Sequence, residues 1–156
     1  MINKKTYLGM LVTVLVFGIT VIGCDLLDKE KDILDLLDFR TSTPSQKVLD
    51  DTDCGLTRAQ FNEIKNAAGG GFKGWALDRF DNLVMAWTGR KMSNYNNLVD
   101  VLDEIFEFEA VRSSEPDEDD GTYKAFGVGY WVKFYSTRYT EDGHYASAGT
   151  TIVEFW

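Results

Sequence analysis

The chain has 156 residues, 25 of them acidic against 16 basic, and a net charge of −9. Such a balance repels a phosphate backbone and supplies no basic stripe, which argues against nucleic acid as a partner. With 44% hydrophobic and 13% aromatic residues, there is enough apolar matter for one domain with its own core.

The first feature along the chain is an uncharged run of fifteen residues, Leu8 to Ile22, preceded by Lys4 and Lys5. A membrane-spanning helix needs about twenty, so the run reads as the apolar region of an export signal. Its end, Val21-Ile22-Gly23-Cys24, resembles the lipobox of bacterial lipoproteins. The resemblance implies cleavage before Cys24, diacylation of its sulfur, and attachment to a membrane through an N-terminal lipid. The protein would then sit in the cell envelope, facing the periplasm or the exterior. Two or more acyl chains hold a protein stably, whereas one is marginal. Asp25 resembles an inner-membrane retention signal of many double-membrane bacteria. Loss of residues 1–23 removes two lysines and no acid, leaving 133 residues and a net charge of −11. With Cys24 acylated, Cys54 is the one remaining cysteine and no intramolecular disulfide can form.

Residues 24–54 read as the acylated cysteine, an acidic amphipathic segment ("DLLDKEKDILDLLDF", 25–39) and a Ser/Thr-rich linker, with the globular domain at 55–156. Thr57 and Gln60 form a capping-box pair at the start of a helix that Gly69 to Gly71 end. A second helix is predicted over 76–88 from the spacing of Leu77, Phe80, Val84 and Trp87. A third is predicted over 94–105, capped by Ser93. The apolar period then falls to two: "FEFEAV", a long strand over 122–139, and a return from His144 to Trp156. The expectation is an α+β domain, three helices followed by a three-stranded antiparallel meander. "LTRAQFNEIKN" is similar to the opening helix of exported proteins with the β-lactamase-inhibitor-protein-like fold, a group that includes outer-membrane assembly lipoproteins. That likeness implies the same order of helices and then strands, although "AAGGGFKGW" departs from the family's continuation.

Candidates for chemistry are few. His144 is the single histidine, with Ser147 close by in sequence, and no triad can be assembled from spacing. No Cys/His zinc spacing occurs, and no cofactor is expected. "DDTDCG" and "EPDEDDG" carry alternating oxygen ligands outside the EF-hand register. "GGGFKGW" lacks the Lys-Ser/Thr of a phosphate-binding loop. Asp78 with Asp81, and Asp100 with Asp103, are spaced to share a helical face, as a carboxylate-based hydrolase would use.

The strongest signal is aromatic. On a continuous strand Phe126, Val128, Tyr130, Val132 and Phe134 share one face, and Tyr123, Trp131, Tyr135 and Tyr139 the other, with Gly127 and Gly129 leaving a groove. Bulky rings on both faces mean either a sheet covered on both sides or a Tyr/Trp recognition surface. The functional expectation is therefore a non-catalytic, lipid-anchored interaction module that binds a protein or carbohydrate ligand through Tyr123, Trp131, Tyr135 and Tyr139. Its alternative is an inhibitor or envelope-assembly factor docking another exported protein.

Overall fold

A computed structural model describes residues 30–52 and 54–156; Cys24, the export signal and Asp53 lie outside the described residues. The domain is α+β, but helices and strands alternate rather than follow one another. Chain order is β1 (Lys31–Asp32), a 3-10 turn (Ile33–Leu36), α1 (Gln46–Asp51), α2 (Arg58–Ala67), β2 (Phe72–Leu77) and β3 (Leu83–Trp87). Then come α3 (Met92–Phe106), β4 (Val111–Arg112), β5 (Thr122–Phe126), β6 (Tyr130–Tyr135), β7 (Tyr139–Glu141), β8 (His144–Ala146) and β9 (Thr151–Phe155).

In place of a three-stranded meander there is a six-stranded antiparallel sheet in the order β2-β3-β9-β6-β5-β4. Two helix-plus-hairpin units, α2-β2-β3 and α3-β5-β6, stand side by side, and β9 closes the gap between them. It pairs with β3 through Leu83↔Phe155 to Trp87↔Thr151, and with β6 through Tyr130↔Phe155 to Phe134↔Thr151. A smaller sheet, β1-β8-β7, contains the parallel pair Lys31↔His144 and Asp32↔Tyr145.

Helix α2 is the element as expected: Thr57 and Gln60 exchange the two bonds of a capping box, and Phe61 and Ile64 are buried. The helix expected over 76–88 is instead the β2–β3 hairpin. Its turn is held by the Asp78 carboxylate, which accepts from the N–H groups of Phe80 (2.7 Å) and Asn82 (2.9 Å). Asp81 supplies the left-handed residue at φ 63°. A short polar turn then leads into Leu83–Trp87, five consecutive buried residues, as suits a central strand covered on both faces.

Helix α3 begins at Met92, where the Asn94 side chain, not Ser93, accepts from the Lys91 N–H. It runs on through Phe106, so "FEFEAV" forms no strand at its start. Glu107 takes a left-handed cap at φ 50°, which turns Phe106 inward and leaves Phe108 exposed. The long strand over 122–139 is three strands, broken first at the tight turn Gly127–Gly129. There the Tyr130 ring lies over Gly127, where an added Cβ would come within 2.1 Å of it, so no groove opens.

The domain boundary expected at 55 also moves. Leu49 of α1 is fully buried in the main core with Cys54 and Leu56. Arg40 pairs with Trp75 at the β2 edge, and the amphipathic helix expected over 25–39 is replaced, from residue 31 onward, by β1 and the 3-10 turn. Residues 31–52 are part of the fold. The main core lies between α2, α3 and one sheet face, centred on Phe61, Trp87, Leu98, Leu102, Tyr130, Val132, Val153 and Phe155.

Candidate functional site

The sheet face turned away from α2 and α3 carries Ala76, Val84, Ala86, Glu154, Trp131, Lys133 and Tyr135, a set fixed by cross-strand register. All seven are buried. The segment 33–39 joins β1, paired to β8, with Arg40, which is bridged to Trp75 at the β2 edge. Its Leu34 is buried outside the helix-side core. Ile152, Lys124 and Phe126 share this face and are half-buried, so both faces are largely covered, with Trp131 and Tyr135 packed inside.

The four expected contact residues separate accordingly. Tyr123 points to the helix side, its ring 6.5 Å from that of Tyr95 and 6.3 Å from that of Phe134. Trp131 is only 6% exposed and Tyr135 2%, so neither forms the open recognition surface expected of it. Tyr139 is half-buried, its ring 6.0 Å from that of Tyr135. The reason is register: Tyr123 pairs with Phe134, so the turn between β5 and β6 exchanges odd and even positions.

Two charged groups inside this face were not singled out by sequence spacing. The Trp131 indole N–H donates to Glu154 at 2.8 Å, while the other carboxyl oxygen of Glu154 is buried with no hydrogen-bond partner. Burial raises the Glu154 carboxyl to about 7; the Trp131 N–H and the Asn82 amide oppose the shift, and Asp78 adds to it. Farther along β6, Lys133 is 4% exposed, with its ammonium 2.7 Å from Asp120 and 4.8 Å from the Tyr135 ring. Burial works to raise Asp120, but the hydrogen bonds from Lys133 and Thr122 prevail and hold it below the usual carboxylate range. Lys124 does the same for Asp117 across 2.7 Å. Lysine ammoniums thus occupy the acidic loop that alternated like a calcium site, and among the described residues no His/Cys/Asp/Glu group is placed to hold a metal.

The remaining candidates are engaged elsewhere. Asp100 and Asp103 both bind Arg112, at 2.7 and 2.5 Å, and Asp103 also accepts from the Tyr130 hydroxyl at 2.7 Å. His144 approaches the Asp142 carbonyl at 3.0 Å. Glu30, Arg138, Tyr145, Ser147 and Ala148 line an open concavity of about 590 Å³, crossed by the Arg138–Glu30 ion pair.

What lies exposed is a different set of apolar side chains. Phe80 (53%), Val128 (58%) and Val111 (70%) stand open to solvent, with Leu77 and Phe108. They come from separate stretches of chain, and the strand order places them all at one end of the large sheet, spread from its β2 edge to its β4 edge. Leu83, Phe155 and Tyr130 are neighbours in register there, which brings the 78–82 turn and the Gly127–Gly129 turn to that end. Trp156 lies between the turns, its N–H bonded to the Gly129 carbonyl at 3.0 Å. Phe106, at the end of α3, stacks on Phe155 and leans on Tyr130, which delivers Phe108 to the same end. Val111 pairs with Phe126 next to Trp131. These placements make up an interrupted apolar rim, with Phe80 and Val128 at the tips of its two turns.

The described chain enters at the opposite end. Glu30 sits beside Arg138, Ser147 and Ala148, in the loops after β6 and before β9. Comparison with protein-family models, curated proteins and solved structures finds no match for this chain.

Proposed function

We propose that the protein is a lipid-anchored extracytoplasmic interaction module, held to a membrane by acylated Cys24 and docking another exported protein through the apolar rim. The observation that carries this reading is the gathering of Leu77, Phe80, Phe108, Val111 and Val128 at the sheet end opposite Glu30. Only residues 25–29 separate Cys24 from Glu30. Six residue steps span at most roughly 20 Å, so the anchor holds the Glu30 end near the lipid and turns the rim outward. The aromatic face first expected to bind has no part in this reading, because its rings are packed.

The test combines two variants in intact cells. Cys24→Ser should lose incorporation of labelled fatty acid. Phe80→Asp/Val128→Asp should keep its fold by circular dichroism and lose the crosslinks that a photoreactive residue at position 111 makes to an envelope protein. Labelling that survives Cys24→Ser defeats the anchor; crosslinks that survive the double variant defeat the rim.

A further inference from the structure

We infer that the rim takes a protein segment that is apolar along one side and basic along its flanks, rather than a bilayer or a second copy of this chain. This rests on the docking reading above and adds the chemistry of the occupant.

The carboxylates around the rim carry the inference. Asp81 follows Phe80 in the first turn, and Glu107 and Glu109 flank Phe108; all three are exposed. On the basic side, Arg112 is already held by Asp100 and Asp103, while Arg79, over the Phe80 ring at 4.7 Å, offsets one of these three carboxylates and leaves an excess of acid. The exposed apolar side chains of the rim thus stand among a net excess of acid, on a protein whose net charge is −9 with the signal and −11 without it. Charges beside a contact select partners and speed encounter more than they add affinity. A basic-flanked partner is drawn in, whereas two copies of this chain would set like carboxylates against each other. An anionic bilayer meets the same repulsion, and the tether at Glu30 directs the rim away from it.

Size narrows the occupant further. From β2 to β4 the rim crosses five strand spacings, about 24 Å at 4.7–4.9 Å each. A helix covers that distance in about sixteen residues, and leucines along one side of it would meet Phe80 and Val128, at the tips of the two turns, as anchors.

The test uses the full mature lipoprotein in neutral-detergent micelles and two synthetic helical peptides. They share one Leu face of about sixteen residues; one is flanked by Lys and the other by Glu. The Lys peptide should bind saturably, at least tenfold more tightly than the Glu peptide, with affinity falling as salt is raised. Asp81→Lys/Glu107→Lys/Glu109→Lys should reverse the preference, and Phe80→Asp/Val128→Asp should abolish binding of both peptides. Equal binding of the two peptides overturns the inference while leaving the docking reading intact. Rim-dependent dimerisation in sedimentation, or rim-dependent binding of the mature protein to anionic vesicles, also overturns it. Binding of the Lys peptide that survives Phe80→Asp/Val128→Asp shows attraction to general negative charge and overturns both.

Discussion

Glu154 is buried in a face otherwise closed by Ala76, Val84, Ala86 and Trp131, with one carboxyl oxygen bonded to the Trp131 indole and the other unpaired. Desolvation favours its neutral form, which raises the group from 4.5 to about 7. The sign follows from linkage. Below pH 4.5 the carboxyl is protonated whether the chain is folded or not. As pH rises from 4.5 to 7 the unfolded chain ionises first, and stability is lost until the folded group ionises too. The rise from 4.5 to about 7 amounts to roughly 3 kcal/mol. Thermal melts should therefore fall between pH 5 and 7.5 for the natural protein and flatten over that range in Glu154→Gln, which should be the more stable of the two at pH 8. Parallel curves for both would mean that Glu154 does not titrate in this window. Asp120 works in the opposite sense: held low by Lys133, it contributes stability that is lost as pH falls through its folded value.

At the level of elements, the register of β5 against β6 depends on the turn at Gly127–Gly129. The Tyr130 ring lies over Gly127 and is pinned by its hydroxyl bond to Asp103 of α3, so it cannot move aside freely. Gly127→Ala should cost about 1–3 kcal/mol, the range for overpacking, read as a lower midpoint in urea; a loss below a few tenths would mean that the ring yields. This turn also shows what the sequence does and does not disclose. Thr57, Gln60 and the following glycines marked α2 correctly, because a cap is a local hydrogen-bond pattern. The β2–β3 hairpin was hidden because Leu77, Phe80, Val84 and Trp87 happen to keep helical spacing. The better signals were the Asp78–Asn82 turn and the unbroken apolar run Leu83–Trp87. The aromatic strip failed for a related reason: one turn between Phe126 and Tyr130 moved Tyr123 to the opposite face from Trp131. Lys133 and Glu154 interrupted apolar strands in plain view, but pairing with Asp120 and Trp131 is long-range and leaves no mark in spacing.

At the scale of the whole molecule, the chain order brings the two hairpin turns and the end of α3 to one end of the sheet, and β1 with Glu30 to the other. No single segment of sequence contains the rim: β9, entering between the hairpins, joins the side that carries Phe80 to the side that carries Phe108, Val111 and Val128. The exposed apolar residues could be recognised only once that order was known. A strand of five residues is about 17 Å long, so in the proposed orientation the rim stands at least roughly that height above the Glu30 end. On the proposal of an acylated Cys24, the protein purified from membranes and placed in phosphatidylcholine vesicles, carrying one fluorophore at position 128 or at position 148, allows this polarity to be measured with spin labels fixed in the lipid phase. The expected result is clear quenching at 148 and little at 128. Stronger quenching at 128 would place the rim in the bilayer and contradict a docking surface that faces away from the membrane.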